Sequence, residues 1–422
     1  FSPEDHNRPL VEFSGGQRCR AMLGQLLLSA PDVLLLDEPT GHLDLEAVEW
    51  LEKYLAGIPN AMVIVSHDRY FLDRTTGGTW EVAFGKLQDY RGNYSAYLKQ
   101  RQHRFDDDMR IWRQQQEHIQ KTEEFIRRFH AGVRGKEARG RRTRLERFLK
   151  DEAVDKPRRH RQIHFRLTPV RQSGDIVIKA HGLTAGYEPG RPIVALESLS
   201  LVRGQRVAVV GGNGTGKTTL LRTLLGELPP LTGSAELGGS VVAGYLPQTH
   251  DQLDPGMTVL EAVSRAGEAT REQTRTLLGS FLFTEDEVFK PIGDLSGGQR
   301  SRVILATLAV QGANLLMLDE PTNHLDIPSQ EVLQEALEAF EGTVVFVSHD
   351  RYLIDALATQ IWAIDAGGVH RIEGKWDAYL QWRSDRAAGV ATEAPPGGPV
   401  RARPARGKDR RKELQRLQRA HQ

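Results

Sequence analysis

Short apolar runs separated by polar stretches set the first expectations for this chain. Val33–Leu36 and Ala61–Val65 read as short buried strands. Ile176-Val177-Ile178 opens another strand pattern, and Arg206–Val210 and Leu315–Leu318 supply two more, while Thr219–Leu225 reads as helical. A different texture runs from about Lys99 to Arg171, rich in Arg, Gln and Glu and almost free of Gly and Pro until its middle. There Gln100–Arg128 predicts one long helix, Ala131–Gly135 breaks it, and Lys136–Glu152 carries a second. Two helices about a short break predict an antiparallel hairpin, the first reaching on the order of 40 Å at 1.5 Å per residue. No apolar run approaches the roughly 18 residues that a membrane span needs, so no membrane insertion is expected.

The chain also repeats itself. The string SGGQR occurs at Ser14–Arg18 and again at Ser296–Arg300, an offset of 282. LDEPT recurs from Leu36 and from Leu318, and VSHDRY from Val65 and from Val347, at the same offset. Gly92–Leu98 faces Gly374–Leu380 in the same way, so about 85 residues belong to two copies of one fold without net insertion. The second copy begins near Asp175, which puts the start of the first about 106 residues before Phe1 and its phosphate loop upstream as well. The expectation is the C-terminal portion of a longer protein, because residues 1–97 alone would lack half of a parallel sheet and a full core. Four regions follow: the end of a first copy at 1–98, a linker at 99–171, a complete second copy at 172–386 and a tail at 387–422.

Composition changes this picture in three places. A length of 422 suits two or three domains, and 39% hydrophobic with 26% charged residues is ordinary for a globular protein. The overall charge of +1 hides an uneven distribution, since Lys99–Thr168 holds 21 Lys and Arg against 11 Asp and Glu, a net of +10. One cysteine, Cys19, excludes an internal disulfide framework and any multi-cysteine zinc or iron–sulfur site, and a reducing cytoplasm fits best. The start, Phe1-Ser2-Pro3-Glu4, is neither a signal peptide nor an initiator methionine. The tail after Ala387 is first rich in Pro and Gly, then basic through Arg401, Arg403, Arg406, Lys408, Arg410, Arg411 and Lys412.

The segment Gly211-Gly212-Asn213-Gly214-Thr215-Gly216-Lys217-Thr218 matches GxxxxGK[ST] between a strand and the helix that carries Thr219. Its glycines let backbone N–H groups turn onto phosphate oxygens, and the helix N-terminus adds its positive dipole. Lys217 would neutralise the β- and γ-phosphates of a nucleotide and the Thr218 hydroxyl would ligate Mg²⁺, although the loop alone says only that a nucleotide binds. Leu315–Leu318 ends in Asp319-Glu320, where Asp319 is placed to hold Mg²⁺ and Glu320 to polarise the attacking water as general base. Standing alone, that acidic pair would read as a solvated strand end.

Leu295-Ser296-Gly297-Gly298-Gln299 resembles the signature of ATP-binding cassette proteins. The resemblance implies α/β P-loop cassettes, two here with the first incomplete, joined by the helical hairpin. It implies that Gln248, in Tyr245-Leu246-Pro247-Gln248, senses Mg²⁺ and water, and that His349 contacts the γ-phosphate. Tyr187, after Gly186, would stack on adenine, with plain packing as the alternative. Cassettes of this family pair head to tail, so Lys217, Glu320 and His349 would face Ser14, Gly15 and Gly16 across an intramolecular interface in a monomer. The other site would have Ser296, Gly297, Gly298, Glu38 and His67, with its phosphate loop upstream. Gln17 and Gln299 are expected to be helix contacts rather than catalysts.

Three features resemble the ABC-F branch in particular: Pro321–Asp326, Ser348-His349-Asp350-Arg351-Tyr352, and two cassettes joined by a charged helical linker of about 70 residues. Together they cover the chain to about residue 385, although Gly41 stands where that family usually has asparagine and Phe13 where it has leucine. The resemblance implies ATP hydrolysis and action on the ribosome, with the linker directed at rRNA and P-site tRNA from the tRNA exit site. Arg134, Lys136, Arg139, Arg141 and Arg142 near the hairpin tip would then contact RNA phosphates. Phe125 and Phe129 would either stack on RNA or pack the helices together. Alternatives are a solvated spacer for the linker, a DNA-associated ATPase using the basic tail, and the ATPase subunit of a transporter. The short break at Ala131–Gly135 leans toward a housekeeping translation factor over antibiotic resistance.

Overall fold

The computed structural model describes residues 8–13, 15–29, 31–41, 43–129, 134–157, 167–248, 253–267, 269–323 and 325–389, without the side chains at 15, 16 and 19. Ser14, most of the Ala131–Gly135 break and the basic tail therefore lie outside the described residues, as does the Cys19 side chain.

The first copy runs α1 (Gly15–Leu28), β1 (Val33–Asp37), α2 (Leu45–Gly57), β2 (Ala61–Val65), α3 (Arg69–Thr75) and the hairpin β3 (Gly78–Ala83) and β4 (Lys86–Arg91). The linker is α4 (Tyr94–Arg128) and α5 (Gly135–Asp151). The second copy opens with β5 (Ile176–Ala185), β6 (Val194–Val202), β7 (Arg206–Val210), α6 (Lys217–Leu225), β8 (Thr232–Leu237) and β9 (Ala243–Leu246). After the short helices α7 (Val259–Ser264) and α8 (Arg271–Ser280) come α9 (Gly297–Gln311), β10 (Leu315–Asp319), α10 (Ile327–Ala339), β11 (Thr343–Val347) and α11 (Arg351–Leu357). The hairpin β12 (Gln360–Asp365) and β13 (Gly368–Glu373) and the helix α12 (Trp376–Ala387) complete it. The chain divides into two compact units, residues 1–381 and 382–422, and only the end of α12 is described in the second.

The second copy builds one sheet of nine strands in the order β8-β5-β6-β13-β12-β7-β11-β10-β9. Its middle is parallel: Val347 of β11 pairs with Val209 of β7 and with Asp319 of β10, and Leu318 pairs with Leu246 of β9. The carboxyl ends of four adjacent strands are thus level, where parallel α/β sheets bind ligands. Strands β10 and β11 are buried at every position, as continuous apolar runs covered on both faces require. Their core joins Val207, Val209, Met317, Val345 and Trp362 to Leu220, Leu221 and Leu224 of α6.

In the first copy β1 and β2 pair in the same parallel register, Asp37 with Val65, but as a sheet of two strands. Both expected strands form, yet neither is fully buried. Leu34 and Leu36 pack on Leu51, Leu55 and Phe71, while Val33, Leu35, Val63 and Val65 on the other face are exposed among the described residues. Period-two side-chain alternation produces this split wherever only one face of a sheet is covered.

The long linker helix starts earlier than its charge pattern suggested, at Tyr94 rather than near Gln100, and Asn93 caps it by accepting from Ala96 N–H at 3.1 Å. Its 35 residues span on the order of 50 Å. The foot of α4 is anchored to both copies: Tyr94 and Tyr97 pack with Tyr90, Leu72 and Ile327. Ser95 donates through N–H and Oγ to Asp73, both at 2.7 Å, and the Tyr352 hydroxyl donates to the same carboxylate at 3.2 Å. Farther out α5 returns antiparallel, and Val154 N–H donates to Gln115 Oε1 at 2.9 Å.

Candidate functional site

The loop Gly211–Thr218 joins the end of β7 to α6. Gly214 and Gly216 take φ of +80° and +97°, and a Cβ at Gly216 would collide with Ile193 and Val194. Lys217 Nζ bridges the loop by donating to the Gly211 and Gly212 carbonyls, each at 2.9 Å. Burial pulls the Lys217 pKa down, opposed by the charges of Glu320, Asp319 and Asp44. Thr215 Oγ1 donates to the Gly212 carbonyl at 2.9 Å, Asn213 lies exposed at the loop's crest, and Thr219 is buried in the first turn of α6.

Thr218 Oγ1 donates to Asp319 Oδ2 at 2.6 Å across 101 residues of sequence. Asp319 is almost wholly buried, and burial raises its pKa to about 6 against the opposing Thr218 hydrogen bond. Glu320 follows with φ of +51°, a left-handed conformation that costs energy for any residue with a Cβ. That backbone bend lets Glu320 N–H donate to Val347 O at 3.0 Å and turns the carboxylate to the His349 N–H, which donates to Oε2 at 3.3 Å. His349 Nε2 lies 3.4 Å from Glu320 Oε1. Burial depresses the His349 pKa below its ordinary value, so the ring is neutral at pH 7.

This geometry fits a phosphate chain with a divalent cation. A buried carboxylate with a raised pKa sits against a hydroxyl, and a cation there would offset its desolvation. Glu320 Oε1 is buried and accepts no hydrogen bond of normal geometry among the described residues, leaving it an acceptor for an incoming water. Gln248 leaves β9 beside the end of β10 and is exposed, and Tyr187 is exposed in the turn after β5.

The first copy contributes a side of the site that the motifs alone did not single out. Asp44 caps α2, accepting from Ala47 N–H at 3.0 Å, and its charge opposes the lowering of the Lys217 and His349 pKa values that burial produces. A cleft between the copies is lined by Leu45 and Glu46 on one side and Gly211, Gly212, Ser348 and His349 on the other. Gly15 and Gly16 open α1, and Ser14 lies outside the described residues. Asp44 occupies the same repeat position as Asp326, the cap of α10, which is the signal that would have marked it.

The partial site in the first copy repeats the local geometry. Glu38 has φ of +44°, His67 N–H donates to its Oε2 at 3.3 Å, and His67 Nε2 lies 3.6 Å from Oε1. The difference is exposure: the Glu38 side chain is 41% exposed and the Glu320 side chain 5%. Ser296 caps α9 in a capping box with Gln299, whose Oε1 accepts from Ser296 N–H at 3.0 Å, and Gly297 and Gly298 form the first turn. Gln299 is thus a helix-capping residue.

The family profile described as ABC transporter matches residues 2–41 and 197–323, and a second profile with the same description matches 80–165. A Haemophilus influenzae relative, the energy-dependent translational throttle protein EttA, is 36% identical over 92% of this chain and 70% of its own length. The chain belongs to the ABC-F family of ATP-binding cassette proteins. The Bacillus subtilis protein YdiF is 41% identical over 92% of this chain and 60% of its own. ABC transporter F family member 5 of Arabidopsis thaliana is 38% identical over 91% and 56%. The chain spans about 60% of the length of these two curated relatives. Among solved structures, a chain from the complex of archaeal stalk protein aP1 with ribosome recycling factor aABCE1 covers 98% of this chain and 74% of its own. It superposes with a TM-score of 0.62 at 20% identity, a likeness of fold.

In this ABC-F chain the linker tip carries Arg134, Lys136, Arg139, Arg141 and Arg142 on exposed positions of α5 and its start. Several have internal partners. Arg141 donates to Glu137 at 2.9 Å and lies 3.8 Å over the Phe125 ring, and Arg142 donates to Glu146 at 3.0 Å. Phe125 and Phe129 pack against each other with tilted rings, centroids 4.8 Å apart, partly buried between the helices. No described helix is long and apolar enough to cross a membrane.

Proposed function

We propose that this chain binds ATP with Mg²⁺ at the second copy, hydrolyses it, and acts in the cytoplasm on the ribosome as a translation or ribosome-protection factor. The observation that carries the reading is the convergence of Lys217, Thr218, Asp319, Glu320 and His349 at the carboxyl ends of β7, β10 and β11, with the charge of Asp44 from the other copy acting on Lys217 and His349.

In this reading the loop N–H groups and Lys217 hold the β- and γ-phosphates, and Tyr187 stacks on the adenine. Thr218 and Asp319, with Gln248 nearby, would hold Mg²⁺, which would supply neutralisation of charge on the phosphates. Glu320 orients a water and takes its proton, through the carboxylate oxygen that lacks a hydrogen bond. The neutral His349 ring, kept beside Glu320, can donate from one nitrogen to a γ-phosphate oxygen without repelling Lys217. The signature residues Ser14, Gly15 and Gly16 complete the site when the copies close, and Ser296, Gly297 and Gly298 serve the second site with Glu38 and His67.

The ribosomal part rests on the name of the EttA relative together with the basic hairpin. Arginines at the tip would approach phosphates of rRNA or P-site tRNA, a contact whose affinity falls steeply with salt. The test is Glu320→Gln, which keeps nucleotide binding and removes the base. With ATP the variant should sediment with ribosomes, and with ADP it should not. Equal sedimentation in both nucleotides, or none in either, contradicts the ribosomal role.

A further inference from the structure

The triplet Asp-Arg-Tyr that follows His67 and His349 lies at a joint between the two copies. Asp68, Arg69 and Tyr70 begin α3, and Asp350, Arg351 and Tyr352 begin α11. Each arginine crosses to the other copy. Arg351 lies 4.2 Å over the Tyr70 ring and Arg69 lies 5.0 Å over the Tyr352 ring, as a two-fold relation would place them. Both arginines are buried, at 5% and 6% exposure, so their partners decide where they point.

The partners are not equivalent. Arg351 pairs with Glu52 through two contacts, Nη1 to Oε2 at 3.1 Å and Nη2 to Oε1 at 3.0 Å. The repeat position of Glu52 is Gln334, and a neutral amide cannot hold a guanidinium in that way. Arg69 Nη2 therefore divides itself, donating to Gln334 Oε1 at 3.3 Å and to Asp350 Oδ2 at 3.2 Å. Asp350 directly follows His349 and fixes its loop from inside. Its N–H donates to Ser348 Oγ at 3.0 Å, and its Oδ1 accepts from Tyr352 N–H at 2.9 Å.

We infer that Arg69 is a positioning residue that latches the His349 loop from the opposite copy, and that the neutral Gln334 is what leaves it free to do so. In the first copy the corresponding latch is diverted, because Glu52 takes Arg351, and the Asp68 carboxylate accepts from Phe71 N–H of its own helix. The joint thus distinguishes the His67 and His349 loops and supports the more buried one. This inference rests on the ATPase reading for its kinetic consequence but not for its structural one.

Removal of Arg69 would leave buried acceptors unpaired and endanger folding, so position 334 is the better test. Gln334→Glu offers Arg69 a second carboxylate, as Glu52 offers Arg351, and should draw it off Asp350. The expected result is a drop in kcat on the order of tenfold with KM within about twofold, and faster amide exchange at 348–350 measured without nucleotide. Gln334→Met supplies no competing acceptor and should leave both near the unmutated values. Unchanged exchange at 348–350 in Gln334→Glu would overturn the latch, as would an equal loss of kcat in Gln334→Met. Absence of turnover in the unmutated chain would instead sink the ATPase reading, and the exchange comparison would still decide the latch.

Discussion

The strand pairs β1–β2 and β10–β11 carry near-identical motifs, 282 residues apart, in two different surroundings. Backbone geometry survives the difference. Both glutamates take the left-handed turn, both histidine N–H groups donate at 3.3 Å, and the strand register is the same. Burial does not survive it: Met317 is fully buried, whereas Leu35, its counterpart, is 74% exposed among the described residues. Local motif shape therefore comes from the motif's own residues, while desolvation comes from neighbouring strands and helices. Desolvation is also what shifts Asp319, His349 and Lys217 from their ordinary pKa values.

The strongest way to break this comparison is to shorten the paired core residues. Met317→Ala should cost about 2–5 kcal/mol, and Leu35→Ala within about 0.5 kcal/mol, both by urea denaturation. Similar losses at the two positions would mean that the outer face of β1 is covered.

A smaller effect separates the two acidic strand ends. The folded-state pKa of Asp319, about 6, lies above the ordinary 3.8, so its carboxyl favours folding below the ordinary value and that benefit is lost as pH rises through 6. Without Mg²⁺, Asp319→Asn should thus stabilise the chain at pH 7 by about 2–3 kcal/mol, and the gain should vanish by about pH 4. Asp37→Asn, on the exposed strand, should change stability by less than about 0.5 kcal/mol at pH 7.

The smallest contrast concerns the helices that follow each copy. Ser95→Ala removes the Oγ hydrogen bond to Asp73 at the foot of α4, keeps the one from the backbone N–H, and should cost about 1 kcal/mol; Asp73 also keeps Tyr352. Asp377, the exposed counterpart on α12, should tolerate alanine within about 0.5 kcal/mol.

Much of the fold was legible because the signals are local. The phosphate loop, the strand ends at Asp319-Glu320 and the two linker helices each follow from a few adjacent residues. The offset of 282 also transferred each motif from one copy to the other. What escaped depends on contacts across that offset. Asp44 looks like an ordinary helix cap until the copies face each other, and the Glu52–Arg351 pair spans 299 residues. The start of α4 was misjudged by six residues because Tyr94–Lys99 is helical by docking against Leu72 and Ile327 rather than by charge pattern. Leu35 is exposed where its apolar run predicts burial, because only one face of β1 is covered.

The central claim is that the working site belongs to the second copy and uses Glu320 as its base. Phosphate release from ATP, measured beside ATP binding for Glu320→Gln and Glu38→Gln, tests it directly. Glu320→Gln should lower release by about 10²–10⁴-fold with binding retained, and Glu38→Gln by no more than about tenfold. Equal losses in the two variants, or turnover that survives Glu320→Gln, would contradict it.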